Sequence, residues 1–179
     1  MLLRIHSSNA HKRSFLTYLL LAFMGLLSTP TSAKDYKIEA LVFAHNNATA
    51  AYEKQPYSPP QEPRNDAEYW PLEASMLLQL SSQIESSPDY QLLRYLSWGQ
   101  EALPLSESTA RQLLEADVSG WIKVYANQLL FANIDLDVQG YRMVEKRRLK
   151  LDELHYFDHP KFGVLLQVSR LESPAENDQ

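Results

Sequence analysis

Between Leu130 and Val138 the chain alternates without a break: Leu130, Ala132, Ile134, Leu136 and Val138 take turns with Phe131, Asn133, Asp135 and Asp137. Successive side chains of a strand point to opposite faces, so a period of two demands a strand with one face in a core and the other in water. The neighbouring stretches agree. Residues 118–125 read as a strand before it, and Gln139-Gly140 turns the chain into a further strand over 141–151. A last strand over 164–171 follows the punctuation of Asp158-His159-Pro160-Lys161-Phe162-Gly163. A chain whose C-terminal half is a run of strands must build an antiparallel sheet and cover one face of it.

The N-terminal half supplies the cover. Tyr36, Ile38, Ala40 and Val42 alternate with Lys37, Glu39, Leu41 and Phe43, which predicts a first strand ending at His45-Asn46-Asn47. Residues 44–70 read as a surface loop, because Pro56, Pro59, Pro60 and Pro63 sustain neither a helix nor a central strand. From Pro71 the spacing becomes helical, with Leu72, Met76, Leu77, Leu80 and Ile84 on one face, and Ser86-Ser87-Pro88 closes the segment. Residues 90–98 alternate again, whereas 105–116 fit either a short helix capped by Ser106 or an irregular insertion. The expectation is one α+β domain over 34–172, a mostly antiparallel sheet packed against one main amphipathic helix, with a disordered tail over 173–179.

Arg4, Lys12 and Arg13 precede an uncharged apolar run from Phe15 to Leu27, and Pro30 breaks it ahead of Thr31-Ser32-Ala33. A run of this length is short of the roughly 20 residues a spanning helix needs. Residues 1–33 are therefore expected to be a signal peptide cleaved after Ala33, giving a periplasmic protein without a stable membrane anchor. Its removal takes three of the 17 basic residues and none of the 22 acidic ones, so the net charge moves from −5 to −8. Such a domain is poorly matched to nucleic acid, whose binding rests on phosphate neutralisation. There is no cysteine, so apolar packing and backbone pairing must hold the fold unaided.

Against this acidic background Arg142, Lys146, Arg147, Arg148 and Lys150 fall within nine positions. Strand parity places Arg142, Lys146, Arg148 and Lys150 on one face and Arg147 on the other, with Tyr141, Met143, Leu149 and Leu151, where a buried guanidinium needs a carboxylate. The basic face is either a solvated, edge-protecting strand paired with Asp135 and Asp137, or an anion-binding surface for carboxylates. Trp70, Trp98 and Trp121 offer large rings for stacking on sugars, although core packing competes for them. Glu153, His155, Asp158 and His159 are metal-ligand types, and with them a metal-assisted hydrolase is the alternative to a binding protein. The spacing of His155 and His159 does not converge on a strand, so no metal site and no cofactor are assigned. The preferred reading has Asp158 or His159 capping the turn before Pro160 while Tyr156 and Phe157 pack. No catalytic signature of the hydrolase, protease or phosphate-loop type is present, so no catalytic residue is assigned.

The run Arg147-Arg148-Leu149-Lys150-Leu151-Asp152-Glu153-Leu154-His155-Tyr156-Phe157-Asp158-His159-Pro160-Lys161-Phe162-Gly163-Val164-Leu165 resembles the C-terminal signature of the CsiV family of periplasmic peptidoglycan-binding proteins. The opening strand from Tyr36 to Phe43, Leu96-Ser97-Trp98 and the alternating run from Leu130 to Leu136 occur in similar order. The resemblance implies a non-enzymatic protein that binds peptidoglycan and supports a bifunctional penicillin-binding protein, through a lipoprotein activator as its partner. It implies no particular binding residues, and a purely protein-binding periplasmic adaptor, acting through the proline loop or a sheet edge, is a further alternative.

Overall fold

The structure is a computed structural model that describes residues 35–48, 54, 70–71 and 76–171. The expected signal peptide, most of the proline-rich loop and the C-terminal tail lie outside the described residues. The elements are β1 (Asp35–His45), β2 (Trp70–Pro71), α1 (Met76–Ser86), β3 (Tyr90–Glu101), β4 (Ala110–Leu114), β5 (Val118–Ala126), β6 (Leu130–Val138), β7 (Tyr141–Leu149), β8 (Leu154–His159) and β9 (Phe162–Arg170). No helix among the described residues is long and apolar enough to cross a membrane.

The strands form two sheets where a single one was expected. A five-stranded sheet runs β2-β3-β1-β9-β8 and a four-stranded sheet runs β4-β5-β6-β7. All pairings are antiparallel. Ile38, Ala40 and Val42 of β1, Trp98 of β3 and Leu166 and Val168 of β9 share one buried cluster with Ile122, Val124, Ile134 and Leu136 of the smaller sheet. The principal core therefore lies between the sheets, which is why the cleanly alternating residues of β6 are buried at every even position.

The expectation of mostly antiparallel sheet with one helix holds, but the helix is not what the sheets pack on. Helix α1 lies chiefly against β3 and β1. Leu41 and Leu77 are fully buried there, outside the cluster between the sheets. The helix also begins later than the proline suggested, since Pro71 pairs with Trp98 as part of an edge strand. A two-residue edge strand tolerates proline because the missing N–H faces away from the ladder.

Two further expectations are corrected. Residues 110–114 are an edge strand paired with β5, neither a helix nor an insertion. Residues 154–159 are a full strand, and only Pro160-Lys161 remains as the turn into β9. The predicted 139–140 turn is present, with φ of 54° at Gln139 and 88° at Gly140 and the Gly140 amide donating to Asp137 Oδ1 at 2.9 Å. Positive φ at both central residues defines the tight hairpin turn whose twist suits its strands.

A buried amide stitches the sheets together. Gln100 Oε1 accepts the Trp98 indole N–H at 2.9 Å, and its Nε2 donates to the Val124 carbonyl at 3.0 Å. The β4–β5 pairing stops at Ala110 and Lys123, and Gln100 takes up the next carbonyl from across the core.

Candidate functional site

The outward face of the smaller sheet gathers most of the basic strand. In β7 the even positions Arg142, Val144, Lys146 and Arg148 face outward, and Met143 and Leu149 face the core. Cross-strand register sets Arg148 beside Phe131 and Tyr125, Lys146 beside Asn133 and Lys123, and Arg142 beside Asp137 and Ser119. Tyr125 and Phe131 stack with centroids 5.6 Å apart and planes at 15°. Lys146 Nζ lies 5.8 Å from the first ring and 5.6 Å from the second, within range of attraction to both π-faces. Trp121 sits on the same face, only 8% exposed, and its buried indole N–H has no hydrogen-bond partner among the described residues.

The cations on this face are not equivalent. Arg142 makes a bidentate pair with Asp135, Nε to Oδ1 at 2.8 Å and Nη2 to Oδ2 at 2.7 Å. That hydrogen bonding pushes the Arg142 pKa further up and neutralises the charge internally. Lys146 and Arg148 are exposed. Lys150 stands in the turn after β7, where it pairs with Glu153 at 3.0 Å.

Arg147 lies on the core-side parity but at the open sheet edge, where its side chain is 37% exposed instead of buried and pairs with Glu145. Its guanidinium carbon lies 4.4 Å from the centre of the Phe157 ring, and Nη1 donates to the Tyr156 carbonyl at 2.5 Å. It thus joins the edge of one sheet to the edge of the other and belongs to the fold rather than to the basic face. Trp98 is likewise a core residue, 2% exposed and hydrogen-bonded to Gln100. The Trp70 side chain lies outside the described residues.

The carboxylates and imidazoles at 153–159 are dispersed by β8. His155 and His159 share one side of the strand, about 13 Å apart at the rise of an extended chain. The Lys150 amide donates to His155 Nε2 at 3.0 Å, and the Lys161 amide donates to His159 Nδ1 at 3.2 Å, so His159 does cap its turn. Its ring stacks on Phe162 at 4.6 Å, and burial pulls its pKa below the usual imidazole value. Phe157 is fully buried, whereas Tyr156 points outward and donates to Asp158 Oδ1 at 2.6 Å. No three His, Asp or Glu side chains among the described residues are placed to hold a metal ion.

Sequence reading missed Tyr125, Phe131 and Lys123 as members of the outward face. The signal was available, since Phe131 is the one large apolar residue in the polar register of β6. Its meaning depends on the β5 and β7 neighbours, which only the register supplies.

No curated relative and no solved structure matches the chain. Residues 127–171 match the family model described as "Peptidoglycan-binding protein, CsiV". The matched segment comprises β6 and β7 of the smaller sheet and β8 and β9 of the larger, so it carries both the basic strand and the Tyr156 strand. Over these two hairpins the resemblance to the CsiV family is shown.

Proposed function

We propose that this chain is a non-enzymatic periplasmic protein that binds peptidoglycan through the outward face of the β4–β7 sheet and supports cell-wall synthesis by a bifunctional penicillin-binding protein. The observation that carries the binding reading is the family match over the hairpin that aligns Lys146 and Arg148 with the Tyr125–Phe131 stack. Peptide stems of the wall bear free carboxylates, for which an ammonium and a guanidinium on adjacent outward positions are complementary. Arg142 serves as a positioning residue here, since its charge is already matched by Asp135.

The test is sedimentation of the mature protein with purified sacculi. The protein should pellet at low salt, and retention should fall as salt screens the exposed contacts. A Lys146→Glu/Arg148→Glu double variant should lose most of the retention, with a melting temperature near that of the parent because both side chains are exposed. Recovery of the parent protein in the supernatant at low salt would overturn the binding role. Support of a penicillin-binding protein through a lipoprotein activator is the finer part of the proposal, and co-purification from envelope extracts tests it separately.

A further inference from the structure

A second surface lies on the opposite side of the molecule's larger sheet, on the face turned away from the shared core. Tyr90 of β3, Phe43 of β1 and Tyr156 of β8 form a strip of rings crossing four adjacent strands. Phe43 meets Tyr90 edge-on with centroids 5.4 Å apart, and Tyr156 lies nearly parallel to it at 6.2 Å and 12°. His45 contacts both Phe43 and Tyr90 at 5.7 Å.

The strip depends on a missing side chain. Between β1 and β8 runs β9, which at this level contributes Gly163, paired with Phe43 on one side and Asp158 on the other. A Cβ there would stand 2.6 Å from both Phe43 Cζ and Tyr156 Cε2. Glycine is thus what allows the rings to close over the intervening strand. Phe43 is 5% exposed, whereas Tyr90 and Tyr156 are 41% and 42% exposed. The result is a buried ring flanked by two open tyrosines, each with a face or edge free to meet a ligand.

The rim is polar. Tyr156 holds Asp158 at one end, and at the other the Asn47 side-chain amide donates to Asp89 Oδ1 at 2.7 Å. Flat rings bury the C–H face of a pyranose at low entropic cost, and fixed carboxylates accept from its hydroxyl groups.

We propose that the Tyr90–Phe43–Tyr156 strip is a glycan-binding platform that stacks sugar rings of the wall's polysaccharide backbone. The identity of the polymer rests on the peptidoglycan reading; the sugar-stacking chemistry rests on the strip itself. The platform is separate from the basic face, so one surface takes the uncharged sugars and the other the acidic stems.

The two readings can fail independently. The mature protein is titrated by calorimetry with an uncharged, peptide-free chain of β-1,4-linked N-acetylglucosamine, and sedimented in parallel with intact sacculi. The peptide-free glycan should bind, at least tenfold more weakly to Tyr90→Ala and to Tyr156→Ala, and within about threefold of the parent to Tyr156→Phe, which keeps the ring. Tyr90→Ala guards against misfolding, because its ring is an open end of the strip, and thermal melts verify each variant. Lys146→Glu/Arg148→Glu should leave glycan binding unchanged. Retention on sacculi without binding of peptide-free glycan would overturn the platform and leave the wall-binding role standing, and binding to neither would overturn both. Glycan binding equal in all variants would also overturn the platform.

Discussion

Replacing Gln100 by Met tests whether the two sheets are held by the buried amide or merely packed around it. Methionine nearly conserves the volume, so little of the effect should come from a cavity. What it removes is the acceptor of the Trp98 indole N–H and the donor to the Val124 carbonyl. Leaving a buried donor unsatisfied costs about 1–3 kcal/mol, and losing the bond to the carbonyl costs about 1 kcal/mol more, so the variant should be destabilised by about 2–4 kcal/mol. Against a total of about 5–15 kcal/mol this is a large fraction. Urea unfolding followed by tryptophan fluorescence should show a midpoint lower by about 1–2 M, for a slope of about 2 kcal/mol per M. Adding Trp98→Phe removes the stranded N–H, so the double variant should lose less than the two singles together, by about 1 kcal/mol or more. A Gln100→Met protein within about 0.5 kcal/mol of the parent, or strict additivity in the cycle, would refute the role given to this bridge.

Other expectations concern glycines, charge and pH. Gly120→Ala should be more damaging than Gly163→Ala, because φ is +125° and the new Cβ would lie 2.1 Å from the Asp135 carbonyl oxygen, whereas at Gly163 it meets ring edges that can shift; chemical denaturation should rank them, with Gly163→Ala losing about 1–3 kcal/mol. Arg142→Ala should cost about 1–3 kcal/mol by stranding Asp135, and the additional change Asp135→Asn should restore part of that in the same assay. His159 has its pKa lowered from 6.5, so folding favours its neutral form. Its stabilising contribution is complete above pH 6.5 and declines as pH falls through the folded value, so stability should drop on acidification, and His159→Phe should flatten that slope when unfolding is measured between pH 7.5 and 5.

What the sequence revealed depended on whether a residue's surroundings were local. The β6 strand was legible because its even positions face the core between the sheets and all but one of its odd positions are polar. The parity of β7 likewise placed Arg147 opposite Lys146 and Arg148 before any partner was known. Strand β4 was not legible, because at this edge Leu113 is buried and Leu114 exposed, and adjacent leucines carry no alternation. Strand β8 was hidden by the proline that follows it and by Asp158 and His159 at its end. The division into two sheets could not be read at all, since it is set by which distant strands pair, above all β1 with β9. For the same reason Trp98 and Trp121 looked alike, and the Tyr90–Phe43–Tyr156 strip was invisible until its strands came together.

The place of β1 has a consequence for how the chain reaches this state. The first described strand is interior to its sheet, with β3 on one side and β9, the last described strand, on the other. Its second neighbour spans residues Phe162–Arg170, so the ladder closes only when the chain is available through residue 170. Loop closure over that distance must precede the contacts that reward it, which makes the last step slow and leaves an apolar edge uncovered in the meantime. Folding during synthesis should therefore stall short of the native sheet, and a ribosome-bound or C-terminally truncated chain lacking β9 should remain sensitive to protease along β1.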